Sequence, residues 1–403
     1  MKKNILTFTL VILSQLAISQ NNKSFTFAAV GDIQYENHIE QSYAARTIFS
    51  ELSNNNDCEF AMILGDIVHD NPQDLDNARQ LLDLINMPYR PLIGNHDRDA
   101  VVGDWEHTYR KVFGSPTYSF EHKNATFICL NNIFSTGKYG YKGIYNDEGL
   151  ELVKKTIKTA NPEQLIIICQ HIPTYSCENR EELLDLLDDR ENVLILSAHT
   201  HTVRKFIHRG NICELTVGAP CGFFWTGERE TDLIPYSLQW CGSPRNYFEV
   251  DILNNGEYNF RYKGIGLDSD IQSSLWIKGE ELLDYENPAF QADSTGLLLA
   301  NIFGACDSTT VEVRINDGEE WIKMEKVKRT DPMVARLAYL NELKIHPTKH
   351  CKRSPYRKSS SSNHLWQLQI KETRNPIIKI ELRAKDSFGL SFTQTFIKSI
   401  SRI

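Results

Sequence analysis

The stretch FAAVGDIQYE, residues 27–36, decides how this chain is read. A short apolar run ends in Gly31-Asp32, and Gln34 follows two residues later. Glycine there permits a tight turn and a close backbone approach. The pattern returns along the chain. FAMIL (60–64) runs into Gly65-Asp66, and YRPLI (89–93) into Gly94-Asn95-His96-Asp97. LIIIC (165–169) leads through Gln170 to His171, and VLILS (193–197) through Ala198 to His199-Thr200-His201. These runs, with FTFAAV (25–30) and TFICL (126–130), read as buried strands. Segments such as YAARTIFSEL, LDNARQLLDLI, DEGLELVKKTIKTA and NREELLDLLDD read as helices between them. The alternation implies an α/β domain, with five polar clusters converging at the carboxyl ends of the strands on one edge of a sheet, where ligands bind.

The donors at those ends are two carboxylates, two amides and three histidines. Oxygen and nitrogen donors of this kind suit divalent first-row metals. The set contains no thiolate, which argues against a structural zinc site. Seven ligands suit two ions that share one carboxylate. Such a pair polarises phosphoryl oxygens and generates hydroxide at neutral pH.

The chain has 403 residues, 44 Lys+Arg against 52 Asp+Glu, and a net charge of −8, which argues against a general nucleic-acid binder. MKKNILTFTLVILSQLAISQ opens with two lysines, an apolar stretch and a small-x-small site at Ala17-Ile18-Ser19, and reads as a signal peptide over residues 1–19. No cysteine follows to carry a lipid, and no other long apolar run suggests an integral membrane segment. A secreted, periplasmic or cell-surface location follows as an expectation. Of nine cysteines, Cys221 and Cys241 flank one loop and are candidates to pair; the plainer reading is buried free thiols.

Beyond residue 200 the chain turns β-rich, with hairpins expected at VRKFIHRG/NICELTVG and NYFEVDIL/EYNFRYKG. A boundary is expected near residues 264–274. The division is then residues 24–265 and a β domain over 266–403, with strands at GLLLANIF, TVEVRIND, WQLQIKE and IIKIELRAKDSFG. Lys344–Lys358 holds six Lys/Arg and no acid, and reads as a solvated loop.

The order D-x-Q, GD, GNHD, H, HxH resembles the calcineurin-like metallophosphoesterase superfamily, over about residues 25–265. GDIVHDNP, YSFEHKNATFICLNNI and GAPCGFFWTGE are similar to a secreted bacterial branch with a C-terminal β domain. The resemblance implies two face-packed β-sheets flanked by helices, followed by a small all-β sandwich. It implies that Asp32, Gln34 and His201 bind one metal, that Asn95, His171 and His199 bind the second, and that Asp66 bridges them. His96 would act beside the leaving-group oxygen as a general acid, oriented by Asp97. The implied activity is hydrolysis of a phosphomonoester or phosphodiester by a metal-bridging hydroxide. Alternatives are a nucleotide-type diphosphatase and a non-catalytic envelope- or glycan-binding protein.

Most members carry histidine at position 34. Gln34 still offers an amide oxygen, harder than imidazole, which favours manganese, with zinc or iron as other options. Arg98, Trp225 and Arg229 are candidates for substrate contact, with Phe223, Phe224 and Trp240 as further cleft walls. His38 and His69 lie near the ligand loops and read as non-ligands. The expected partner is a small phosphorylated substrate. The sequence names no nucleic acid or protein partner.

Overall fold

The structure, a computed structural model, describes residues 23–101, 103–137, 140–280, 287–343, 360–370 and 375–400. The leader (1–19) and the whole basic run Lys344–Lys358 lie outside the described residues. Among the described residues, no helix is long and apolar enough to cross a membrane.

Two sheets form the N-terminal part. In the first, β1 (Phe25–Val30) pairs in parallel with β2 (Ala61–Ile63), and β2 with β3 (Tyr89–Pro91). In the second, β5 (Ala125–Cys129), β8 (Leu165–Cys169) and β9 (Val193–Ser197) are parallel, edged by β4 (Tyr118–His122). The hairpin β10 (Val203–Ile207)/β11 (Ile212–Val217) closes the second sheet, and β12 (Asn246–Ile252)/β13 (Tyr258–Gly264) closes the first. A small hairpin, β6 (Ile133–Ser135) with β7 (Tyr141–Gly143), stands apart from both.

Strand alternation explains why the core strands read as unbroken apolar runs. Phe27, Ala29, Met62 and Leu64 face the space between the sheets, where they meet Phe127, Ile167 and Leu194. Ala28, Val30 and Ile63 face the other way, into a core shared with helix residues Tyr43, Ile48 and Leu52. Both faces are dry over Phe27–Val30 and Ala61–Ile63, so these stretches carry no polar residues. Phe27 stacks on Phe60 at 5.1 Å between centroids and meets Phe127 edge-on at 5.4 Å, arrangements that aromatic quadrupoles favour.

The helices cover the outer faces. α1 (His38–Ala44) continues through a π-helical turn, Ala45–Phe49, into α2 (Ser50–Asn54). Asn37 caps α1 by accepting from the amides of Ile39 and Glu40. α3 (Leu75–Leu82), α4 (His107–Phe113), α5 (Asp147–Thr159) and α6 (Arg180–Leu187) follow.

The C-terminal part is a sandwich of two four-stranded sheets. One comprises β14 (Ser273–Ile277), β15 (Leu297–Ile302), β18 (Glu325–Thr330) and β19 (Ser361–Gln369). The other comprises β16 (Thr310–Ile315), β17 (Ile322–Lys323), β20 (Ile377–Lys385) and β21 (Ser391–Ser399). Leu298, Val311, Trp366, Ile380 and Leu382 fill the space between. Among the described residues the sandwich also carries one α-helix, α7 (Pro332–Glu342), which the sequence reading left out. Its signal was present: Asp331 caps the amides of Met333 and Val334, and Pro332 occupies the first turn.

The two parts are joined by polar and apolar contacts. Lys205 of β10 meets Asp386 at 2.5 Å with both side chains buried. Val334, Leu337 and Leu340 of α7 pack on Leu238 and Tyr236. Asn301 donates to the carbonyl of Cys241 at 3.0 Å. Lys205→Met leaves a buried carboxylate without its cation and should cost about 3–5 kcal/mol. The check is the urea midpoint, and an unchanged midpoint would mean the seam contributes nothing.

Candidate metal centre

The sequence-read ligands come from both sheets rather than from one edge. β1, β2 and β3 deliver Asp32, Gln34, Asp66 and Asn95; β8 and β9 deliver His171, His199 and His201. The face-to-face packing brings the carboxyl ends of both strand sets to the same end of the molecule. Glycines let the loops close. A Cβ on Gly94 would stand 2.0 Å from the Asp66 amide nitrogen, and one on Gly31 would stand 2.2 Å from the Gly218 carbonyl oxygen. Five non-glycine residues here hold left-handed backbone: Gln34 (φ 46°), Asp66 (50°), Asp70 (54°), His199 (69°) and His201 (48°). Such strain gathers at functional sites, where the surrounding structure over-determines it. Backbone bonds tie the loops together: Gln34 N–H donates to Asp66 O at 2.9 Å, and Cys221 N–H to Asp32 O at 3.2 Å.

Two histidines have their tautomers set by what lies behind them. His171 Nδ1 faces the Leu64 carbonyl at 2.8 Å, and His201 Nδ1 faces that of Gly222 at 2.6 Å. Each therefore donates from Nδ1 and turns the lone pair of Nε2 inward. His171 Nε2 then lies 3.2 Å from Asp66 Oδ2 and 3.1 Å from Asn95 Oδ1, while His201 Nε2 lies 3.6 Å from Asp32 Oδ1. With the rings neutral, acceptors face acceptors, an arrangement that calls for a positive charge between them, whether a proton on Nε2 or a metal ion. Asp32 Oδ1, Gln34 Nε2 and Asn95 Nδ2 are buried without a hydrogen-bond partner among the described residues. Asp66, His171 and His199 place ligand atoms within 4.8 Å of one another.

Charge responds accordingly. Burial lowers the His171 imidazole, but Asp66 outweighs it and lifts the pKa to about 9, so without an ion a proton on Nε2 answers the Asp66 carboxylate. Burial and then His171 push His199 down to about 3, so it is a neutral donor at physiological pH. Burial works against the charge of Asp66, but His171 and His96 hold the carboxyl well below its usual range.

Gln34 is buried, with Oε1 3.8 Å from the Cys221 sulfur. The two ends of an amide are assigned rather than seen, and exchanging them turns the oxygen away from the thiol. Cys221 also lies 3.6 Å from His201 Nδ1, and burial followed by the Asp32 charge pushes its thiol pKa well up. It stays protonated beside the oxygen and nitrogen donors. Cys221 and Cys241 are both free, so the suggested disulfide is absent.

His96 sits at the rim. Its Nδ1 meets Asp70 Oδ1 at 2.7 Å, and its ring stacks on His69 at 4.3 Å. Burial lowers its pKa, but Asp66 and Asp70 prevail and raise it. Asp97 does not take the orienting role expected of it. Its Oδ1 accepts from the amides of Ile67 (2.8 Å) and Val68 (3.0 Å), and its Oδ2 from that of Gly94 (2.8 Å). It clamps the Asp66 loop to the Asn95 loop. Asp97→Asn turns an amide N–H toward a backbone donor, and should cost about 2 kcal/mol. That loss would appear in chemical denaturation, and a variant as stable as the parent would contradict the clamp. The sequence reading missed Asp70, although it lies four residues after Asp66 in the same loop.

The substrate candidates fare differently. Arg98 is buried, donates to the Asn95 and Gly140 carbonyls, and lies over Tyr141 at 5.5 Å, so its guanidinium holds backbone. Trp225 is a core residue whose indole N–H donates to Ile33 O at 2.9 Å. Arg229 is engaged by the Tyr43 hydroxyl and the Leu233 carbonyl. Phe224 does wall the site, 4.7 Å from His201 and 5.7 Å from His69. Phe223 and Trp240 stand behind it, in line. His38 opens α1, exposed, while His69 is drawn into the rim cluster with Asp70 and His96.

A fold of two face-packed sheets with this donor cluster defines a metallophosphoesterase-like protein. The chain belongs to the calcineurin-like phosphoesterase family: residues 25–203 match the model for calcineurin-like phosphoesterase, and residues 214–392 match that for its C-terminal region. No curated protein matches the sequence. Among solved structures it is similar to a dimetal phosphatase from Danio rerio, at 15% identity over 60% of this chain and 96% of that one (TM-score 0.43). It is similar to a purple acid phosphatase from yellow lupin seeds, at 12% identity over 60% of this chain and 51% of that one (TM-score 0.44). It is also similar to Vacuolar Protein Sorting 29 from Cryptosporidium parvum, at 11% identity over 60% of this chain and 97% of that one (TM-score 0.30).

Proposed function

We propose that this protein is a binuclear metal-dependent phosphoesterase that hydrolyses a phosphomonoester or phosphodiester. The observation that carries this reading is the close approach, at 3.1–3.6 Å, of His171 Nε2 to Asp66 and Asn95 and of His201 Nε2 to Asp32. Adjacent donors around one ion with bonds near 2.1 Å stand roughly 3.0–3.4 Å apart. The residues fit the group. Asp32, Gln34 and His201 would hold one ion, Asn95, His171 and His199 the other, with Asp66 shared. When bound, such a pair supplies charge neutralisation at the phosphoryl oxygens and a water acidic enough to serve as nucleophile near neutral pH.

The remaining steps belong to the chain's own residues. His96, kept protonated by Asp66 and Asp70, donates its proton to the departing alkoxide. Asp70 fixes the ring by accepting from Nδ1, which leaves Nε2–H as the donor. Phe224 excludes water from one side. The oxygen-rich set, with Gln34 in place of a further imidazole, favours manganese over zinc or iron. The N-terminal leader supports export from the cytoplasm. The test is elemental analysis of the purified protein, alongside Mn²⁺-dependent hydrolysis of p-nitrophenyl phosphate and bis-p-nitrophenyl phosphate. About two ions per chain are expected, with turnover that a chelator abolishes. Metal-loaded protein that hydrolyses no phosphoester would sink the reading.

A further inference from the structure

A second concavity lies where the two halves meet, with a volume of about 480 Å³, within the range of small-molecule sites. It is lined by Tyr175, Arg204, Trp240, Lys326, Ser362 and His364, among others. It adjoins the metal centre in the chain: Thr202 in its wall follows His201, and the Trp240 amide donates to the His201 carbonyl at 2.9 Å.

The chemistry of the wall narrows the ligand. Its ammonium groups are neutralised internally: Lys205 by Asp386 at 2.5 Å, and Lys326 by Asp307 at 2.9 Å and the Cys306 carbonyl at 3.0 Å. Arg204 is exposed at the edge and lies over the Tyr175 ring at 5.6 Å. A wall so balanced does not suit a polyanion. Two aromatic side chains, Tyr175 and Trp240, are half-buried and present apolar faces with polar tips. His364 is only 4% exposed, and its Nδ1 has no hydrogen-bond partner among the described residues. Ser362 holds the floor, its hydroxyl donating to Cys241 O at 2.7 Å and accepting from His364 N–H at 3.0 Å. A buried imidazole nitrogen with no partner costs stability unless a ligand pairs with it.

We propose that this cavity binds a hydroxyl-rich, sugar-sized group, with aromatic faces against its ring and His364 Nδ1 paired to a hydroxyl. Two sources share that chemistry: the alcohol portion of the phosphoester substrate, or a separate saccharide. The first rests on the phosphoesterase reading above; the second does not.

The experiment uses the full chain and compares the parent with His364→Ala and Tyr175→Ala. Tyr175 is half-buried at the wall, so its removal should spare folding, which a thermal melt checks. Saturation-transfer NMR with glucose and N-acetylglucosamine reads binding. Steady-state kinetics on glucose 6-phosphate and p-nitrophenyl phosphate read catalysis. Sugar signals in the parent that vanish in both variants are expected. If the sugar belongs to the substrate, KM for glucose 6-phosphate rises about tenfold while turnover of p-nitrophenyl phosphate stays within about twofold. If sugar binding vanishes and KM does not move, the site serves a separate saccharide. Sugar binding in a parent that hydrolyses no phosphoester would end the phosphoesterase reading and keep this one. Absent sugar signals together with an unmoved KM would overturn the cavity's assignment.

Discussion

Asp66→Asn should strip the metals and abolish phosphoester hydrolysis together, with a loss of at least about a thousandfold in kcat/KM. The size follows from position. Asp66 Oδ1 accepts from the His96 amide at 2.8 Å, while Oδ2 faces His171 Nε2 at 3.2 Å. One carboxylate thus touches the donors of one ion and the backbone of the rim histidine. Asparagine keeps the shape but removes the charge that balances two cations, and turns an N–H toward a donor or an ion. Elemental analysis beside the kinetics reads the result. Full metal content with activity lost would assign Asp66 to catalysis but not to metal binding. Activity retained would remove it from both.

The second large effect concerns His96. His96→Ala should slow hydrolysis of an alkyl phosphate by about 10²–10⁴-fold. The nitrophenyl ester, whose leaving group departs without a proton, should suffer far less. Equal losses on both esters would assign His96 to phosphate binding rather than to acid catalysis. Asp70→Asn should reproduce a milder form of the same selectivity, about tenfold. It should also move the basic limb of the rate–pH profile to lower pH. Asp70 helps to raise the pKa of His96, so without it the ring loses its proton earlier as pH rises. Asp97→Asn should leave that limb in place.

Much of this architecture was legible because it depends on burial. FAAV, FAMIL and LIIIC are dry on both faces, so their composition alone marks them as core strands. Each ligand cluster follows such a run, and in three of the five a glycine (Gly31, Gly65 or Gly94) marks a place where only hydrogen fits. What the sequence hid is direction within a turn. Asp70 and Asp97 both lie close to the rim histidine, Asp97 directly after it in the chain and Asp70 across the loop. Only the left-handed backbone at Asp70 (φ 54°) and the cluster of amides around Asp97 decide which carboxylate meets the imidazole. The aromatic loop hid its packing for a similar reason. Phe224 and Trp225 are neighbours, both with positive φ, yet one stands over His201 and the other is buried with its indole on Ile33 O. The convergence on one edge was misjudged because strand order says nothing of which sheet a strand joins.

The tie between His201 and the Gly222 carbonyl carries a further consequence. Gly222 sits in the loop 218–245, whose far end is held by α7, Asn301 and the C-terminal strands. The imidazole offered to the first ion is therefore aimed by a loop pinned beside Gly222 to Asp32 and Ile33 and, at its far end, to the other half of the molecule. A graft of an unrelated β domain onto residues 24–265 would keep every ligand in the sequence yet lose the contacts that hold the far end of the loop behind one of them. Contacts from both halves thus meet along the one loop that stands behind His201, so a change in either half is felt there.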